Sequence, residues 1–231
     1  MVIKAYGTYY SPNANRAFLV LHEKDVEFEL VKISILEGEH KTPEYLALQP
    51  FGLVPLLQDG DLKIFESRAI IRYIADKFKD QGTPNLYGST LAERSQVDQW
   101  LELENGTFSP IALTLIKEHL YKPLLYKQAA DPKVVEEFTE KFAKILDIYE
   151  AHLSKHKYLA GDFVSIADLA HLPFGYIYFN VAEKPELLSS RKRVAAWWKE
   201  ISSRPAWKKV VSIAAPDWES WTKGAKSFYS S

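Results

Sequence analysis

Residues 53–71 read Leu53-Val-Pro-Leu-Leu-Gln-Asp-Gly-Asp-Leu-Lys-Ile-Phe-Glu-Ser-Arg-Ala-Ile-Ile71, and this stretch decides the fold. Two short apolar runs, Leu53–Leu57 and Leu62–Phe65, flank a Gln58-Asp-Gly-Asp61 turn. Asp59-Gly60 is a dipeptide that supplies the positive φ a tight hairpin needs. Pro55 has no amide proton to give to a ladder, so the first run is not an ordinary central strand. Glu66 and Ser67 follow the second run at once. A helical pattern then places Ile70, Ile74 and Phe78 on one face. A carboxylate and a hydroxyl at a helix start, beside an oddly placed proline, point to a small-ligand site. Taken alone, the stretch reads first as a hairpin feeding a capped helix.

Upstream, Val2 to Tyr6 has the pattern of a short strand closed by Gly7. Ser11 and Pro12 have the chemistry of an N-cap and a first helical residue, and apolar spacing continues to about Lys24. Phe28, Leu30 and Ile33 suggest a second strand. The helix between the two strands favours a parallel pair. Thr42-Pro43-Glu44 opens a short helix. The order β-α-β, connector helix, β-β-α predicts a four-stranded, thioredoxin-like domain over residues 1–80. Residues 81–90 break every pattern and form a linker. The remainder, over 91–213, is all-helical: a long helix near Leu91 to Tyr121 bent at Pro110, one capped by Asp131, and one opened by the Ser165-Ile-Ala-Asp168 capping box. Residues 214–231 form a C-terminal tail with Trp218 and Trp221 but no clear period.

An apolar fraction of 47% and an aromatic fraction of 13% are enough for a sizeable core. A net charge of −1 with interspersed Lys and Arg gives no footprint for nucleic acid. The chain has no cysteine, which excludes disulfides, thiolate metal sites and cysteine nucleophiles. His152, His156 and His171 show no metal-ligand spacing, so no metal site is expected. No apolar run is long enough to cross a bilayer, and the amino terminus lacks the features of a signal peptide. These features lead us to expect a cytosolic protein that engages neither membrane nor nucleic acid. A Ser11, His40 and Glu66 hydrolase triad is set aside because there is no Gly-x-Ser-x-Gly elbow.

Several motifs occur in one order: Ser11-Pro-Asn-Ala-Asn-Arg16, Glu39-His-Lys-Thr-Pro-Glu44, Pro50-Phe-Gly-Leu-Val-Pro55, Asp59-Gly-Asp-Leu62, Phe65-Glu-Ser-Arg-Ala-Ile70, Tyr158-Leu-Ala-Gly-Asp162, Ser165-Ile-Ala-Asp168 and Trp197-Trp198 to Arg204-Pro205. Together they resemble the soluble glutathione transferases, and among them the plant phi class, over residues 2 to 213. The resemblance implies that Ser11 contacts the sulfur of glutathione. It places the γ-glutamyl carboxylate at Ser67, its ammonium at Glu66, and the glycine carboxylate at His40 and Lys41. It also implies a cis Pro55 that exposes the Val54 backbone to the cysteinyl unit. Leu53 stands where the family usually has a glutamine that helps hold glutathione, and Asn15 where it often has threonine. A lost hydrogen bond of this kind costs roughly 0.5–1.5 kcal/mol.

By the same resemblance, hydrophobic electrophiles bind between the domains. Tyr10, Pro12, Ile35, Leu36, Leu115, His119, Phe174 and Tyr178 are the candidates by position. Tyr9 and Tyr10 are competing hydroxyls for the sulfur, and as neighbours they face opposite sides. The reaction expected is conjugation of the glutathione thiolate to hydrophobic electrophiles, with peroxide reduction as a side activity. No cofactor is expected beyond the co-substrate glutathione. A carrier of flavonoids or other aromatic ligands is the alternative. The family also implies a homodimer, with Phe51 as an apolar anchor. The absence of cysteine argues against thiol-transfer relatives.

Overall fold

The computed structural model describes residues 2–230. In β1 (Ile3–Gly7), Ile3 and Ala5 point to one side and Tyr6 to the other, and all three are buried. Such double-sided burial requires a central strand. β1 pairs in parallel with β2 (Phe28–Lys32) across α1 (Pro12–Glu23), and antiparallel with β3 (Leu56–Asp59). β3 continues antiparallel into β4 (Leu62–Phe65), giving the order β2-β1-β3-β4. Asp59 pairs with Leu62, so the turn residues are Gly60 and Asp61, one place beyond the dipeptide singled out from sequence. Gly60 supplies the positive φ of 62°. The first apolar run enters the ladder only at Leu56, after the proline.

Ile3, Ala5 and Leu57 pack beneath α1 and α3 (Ser67–Lys77). On the opposite face, Tyr6 and Leu56 form a smaller cluster with Ile33 and Tyr45, the last from α2 (Pro43–Leu46). Period-two alternation in two adjacent strands therefore builds both faces of the domain.

The linker is strapped rather than loose. Thr83 donates its amide to Glu23 O at 2.7 Å, and Lys24 Nζ donates to Thr83 O at 2.7 Å. Arg204 adds two contacts of 2.6 Å to the Glu23 carboxylate, tying the end of α1 to the helical domain.

α4 (Leu91–Leu103) passes through a π-helical turn, Glu104–Phe108, into α5 (Ser109–Ile116), and a second π-helical stretch runs Lys117–Tyr126. The wide turn absorbs Pro110, which cannot donate an amide to the preceding turn. α6 (Pro132–Leu153) is followed by α7 (Ile166–Ala170), α8 (Leu172–Tyr176), α9 (Glu186–Ser189), α10 (Lys192–Ser202) and α11 (Pro205–Ser230). The capping box at the start of α7 is complete: Asp168 accepts from the Ser165 amide at 2.9 Å and also from the Leu159 amide and the Trp197 indole. Residues 214–230, which show no clear period on first reading, are helical and continuous with Pro205–Ile213. Trp218 and Ala225 are buried there, and packing of this face outweighs the loss of one amide donor at Pro216.

His171, fully buried in this core, has Nδ1 2.7 Å from Ala167 O and Nε2 2.9 Å from the Tyr149 hydroxyl. A carbonyl only accepts, so Nδ1 carries the proton and Nε2 accepts from Tyr149. Burial pushes the His171 pKa down to about 4. The imidazole is therefore neutral when folded and free to ionise when unfolded. Its contribution to stability is complete above the unfolded pKa of about 6.5 and is lost as pH falls toward the folded value. At about pH 5 the expected loss is about 2 kcal/mol. Denaturant unfolding of His171→Gln at about pH 7.5 and about pH 5 should show a pH penalty smaller than wild type by that amount. An unchanged penalty would assign the acid sensitivity to other groups.

Candidate active site

A cavity of about 170 Å³ opens where the chain enters β3 and leaves β4. Leu53, Val54, Pro55, Glu66 and Ser67 line it, together with Asn13, Gln49 and Arg68. The Val54–Pro55 bond is cis. Leu53 is anchored by its backbone: its carbonyl accepts from the Tyr45 hydroxyl at 2.8 Å, and its amide donates to Gln49 Oε1 at 3.3 Å. The residue is 53% exposed. Glu66 adopts φ 68°, ψ 109°, outside the regions a residue with a Cβ prefers. Strain of this kind, in a residue that opens a helix beside a cavity, is characteristic of ligand-binding turns.

Ser11 caps α1 at the edge of the same region, and Asn13, two residues on, lines the cavity. Ser11 is only 6% exposed. Its Oγ accepts from the Ala14 amide at a long 3.4 Å, and among the described residues the hydroxyl's own proton is uncommitted. The loop beneath it is fixed by Asn15, whose side-chain amide donates to Tyr9 O at 2.7 Å. The two tyrosines diverge. Tyr9 Oη lies 3.2 Å from His22 Nε2, and burial raises its phenol pKa. Tyr10 Oη accepts from the Ile35 amide at 2.9 Å.

Beneath the cavity lies a buried charge network that joins the two domains. Arg16 is fully buried and donates to Ser67 Oγ at 2.8 Å, to Asn13 Oδ1 at 2.9 Å and to Glu104 at 3.1 Å. Arg68 donates to the other Glu104 oxygen at 2.6 Å, and Ser109 also bonds Glu104. Burial alone would raise the Glu104 pKa, but Arg16 and Arg68 outweigh it and hold the carboxyl below its ordinary value. Burial lowers Arg16 to about 10, still charged at neutral pH. Ser67 Oγ accepts from Arg16, so its own proton remains available to a ligand carboxylate.

His40 and Lys41 stand on a 3-10 turn, Glu39–Lys41, outside the cavity lining. Gly52 lets the Phe51–Val54 segment lie against them; at its φ of 58° a Cβ would meet His40 O at 2.6 Å. Lys41 Nζ donates to Phe51 O at 3.1 Å, and His40 Nδ1 is buried without a partner among the described residues. Among the electrophile-site candidates, Tyr10, Pro12 and Ile35 are half-buried at the α1 entrance and Leu36 is exposed. Leu115 is fully buried, Phe174 lies against Arg16, and Tyr178 packs on Phe142. The close packing of the helical domain thus turns these three side chains into its core rather than toward a cleft. His119 is half-buried beside Val181 and Thr222, in a separate small cavity.

The family model for the glutathione S-transferase N-terminal domain matches residues 1–76, and the C-terminal domain model matches 109–205. The chain belongs to the glutathione S-transferase family. It is 50% identical over 212 residues to glutathione S-transferase F9 of Arabidopsis thaliana, covering 92% of this chain and 97% of that one. Glutathione S-transferase 3 of Zea mays is 44% identical, with 91% and 93% covered. In structure the chain is similar to poplar glutathione transferase F1, at a TM-score of 0.86, 42% identity and coverage of 94% and 99%. It is also similar to maize glutathione S-transferase I in complex with an atrazine glutathione conjugate, at a TM-score of 0.85, 40% identity and coverage of 94% and 99%. These relatives place the chain in the plant phi class, and it is an enzyme, a glutathione transferase.

In this transferase, sequence reasoning missed Gln49, Arg68 and Asn13 in the cavity wall and Arg16 beneath it. Arg68 directly follows Ser67 at a helix start, where a cation is unusual because the helix dipole disfavours it. That was the available signal. Among the described residues no cluster of His, Asp and Glu could hold a metal ion, and no helix is long and apolar enough to cross a membrane.

Proposed function

We propose that this transferase joins the sulfur of glutathione to hydrophobic electrophiles, with the Ser11 hydroxyl donating to the thiolate. A free thiol has a pKa of about 8.5, so only a few per cent is nucleophilic at neutral pH. A donor at the start of α1, where the helix dipole and free amides favour negative charge, lowers that value. The thiolate attacks the electrophilic carbon, its lone pair forms the C–S bond, and the leaving group departs with the displaced electron pair. The observation that carries this reading is the uncommitted Ser11 hydroxyl at the helix start that borders the cavity. On this reading Ser67 and the Glu66 turn take the γ-glutamyl end and the Val54 backbone takes the cysteinyl unit within the cavity, while His40 and Lys41, outside its lining, take the glycine carboxylate. No cofactor beyond glutathione is called for. The test is conjugation of chlorodinitrobenzene by the purified chain; absence of turnover at saturating glutathione would leave a carrier of aromatic ligands as the reading.

The same thiolate can attack the terminal oxygen of an organic hydroperoxide, breaking the O–O bond to release the alcohol and leave glutathione sulfenic acid; a second glutathione thiol then attacks that sulfur, forming the disulfide and releasing water. The carrier reading draws support from Leu53, an exposed apolar side chain where the resemblance implies an amide. Leu53→Gln should restore that hydrogen bond and lower the glutathione KM by roughly two- to tenfold. A KM that does not fall would show that position 53 does not face glutathione. Phe51, 62% exposed and edge-on to Phe65, is the proposed anchor of a homodimer, to be checked by sedimentation at micromolar concentration. We also propose a cytosolic location.

A further inference from the structure

α11 runs to Ser230, 25 residues beyond the end of the C-terminal domain match at 205. This extension is pinned. Thr222 Oγ1 donates to Val181 O at 2.8 Å, and Lys226 pairs with Glu183 at 2.7 Å. The Ala130 amide donates to Tyr229 Oη at 3.2 Å. At Gly224 the helix comes so close to its neighbour that a Cβ would lie 2.5 Å from Leu124 Cδ2.

A helix held this firmly fixes where its side chains go. Trp218 enters the core beside Tyr176 and Trp207. Trp221, one turn on, instead packs on Tyr10, one of the electrophile-site candidates. Its ring lies edge-on to Tyr10 with centroids 6.3 Å apart, and edge-on to Tyr121 at 6.1 Å. Tyr10 immediately precedes Ser11, so the indole from α11 packs on the sequence neighbour of the residue read as the thiol contact. Trp221 is only partly buried, and among the described residues its indole N–H has no hydrogen-bond partner. Tyr121 has its pKa pushed up to about 12 by burial and stays neutral.

We propose that the C-terminal extension forms one wall of the acceptor site, and that Trp221 is the surface against which a planar, electron-poor aromatic acceptor packs. The inference rests on the reading of Ser11 given above. Three neutral aromatic rings meet here, and their negative π faces complement an electron-poor ring such as a nitroaryl group. The indole N–H adds a donor that a nitro or carbonyl oxygen can use. Trp221 is thus a specificity-determining residue and takes no part in activating the thiol.

The test compares binding of glutathione and of S-(2,4-dinitrophenyl)glutathione by calorimetry, using the full chain as wild type, Trp221→Ala and Trp221→Phe. The ratio of the two affinities isolates the aryl group from the tripeptide. Trp221→Ala should weaken the conjugate roughly three- to tenfold, as loss of one aromatic partner does. Its glutathione affinity should stay within about twofold of wild type, and Trp221→Phe should recover most of the loss. An unchanged conjugate affinity in the alanine variant, or a loss shared equally with glutathione, would overturn the role of Trp221 while leaving the thiol site standing. Failure of the wild type to bind either ligand would overturn both.

Discussion

Ser11→Ala should lower the rate of chlorodinitrobenzene conjugation by roughly 25-fold at neutral pH and by about a hundredfold well below the lowered thiol pKa, the latter corresponding to about 2.7 kcal/mol of thiolate-selective stabilisation. The size follows from the task. Lowering the thiol pKa by about two units moves it from about 8.5 to below neutral, and the hydroxyl donor is the group proposed to do so. The variant should therefore regain rate as pH rises, climbing roughly tenfold per unit until it approaches the ordinary thiol pKa. Wild type should already be level there. Ser11→Thr keeps the donor and should retain much of the activity. The glutathione KM should change little, because no tripeptide contact other than the one at sulfur is removed.

The alternative account of Ser11 is that it merely caps α1. Removing a serine cap costs about 0.5–2 kcal/mol of stability. Here the capping contact is 3.4 Å, at the long limit, so the cost should fall at the low end of that range. A thermal melt close to wild type, combined with a collapsed rate and a shifted pH profile, separates activation from capping. Tyr9 has its hydroxyl beside His22, whereas Tyr10 Oη accepts from the Ile35 amide and keeps its own proton, so Tyr10 is the rival donor that Ser11→Ala tests. If the alanine variant kept its rate at every pH, another donor would have to hold the thiolate.

What was legible in the sequence was local. The hairpin turn, the cap of α1 and the Ser165-Asp168 box each depend on residues within four positions of one another, and each forms, the turn one place later than expected at Gly60-Asp61. The continuation of α11 was also present in the pattern but hidden. Trp207, Val210, Ala214, Trp218, Trp221 and Ala225 recur at steps of three or four, the spacing of one helix face. Pro216 interrupts that reading because proline ordinarily ends a helix. It falls on the exposed side, where the missing amide bond is tolerated. The charge network could not be seen at all. Arg16 and Glu104 are 88 positions apart, and nothing in either neighbourhood marks them as partners. Burial likewise separated the electrophile-site candidates: Leu115 and Tyr178 carry the same apolar chemistry as lining residues, and only three-dimensional packing shows them in the core.

That network gives the other large expected effect. Glu104→Gln should destabilise the protein by about 3–5 kcal/mol, read as a lower denaturation midpoint. Glu104 is fully buried between Arg16, also fully buried, and Arg68, whose side chain is 13% exposed. Removing its charge leaves two guanidiniums near each other with no counter-ion, and Arg16 has no route to water. A double variant, Arg16→Met with Glu104→Leu, should recover part of the loss, because it removes the stranded charge along with its partner. The site should register the change as well. Arg16 holds Ser67 and Asn13 at 2.8 and 2.9 Å, so a displaced guanidinium releases two residues of the cavity wall. Glu104→Gln should therefore raise the glutathione KM more than the electrophile KM. Equal effects on both, or stability within about 1 kcal/mol of wild type, would mean that the pair is solvated and carries neither role.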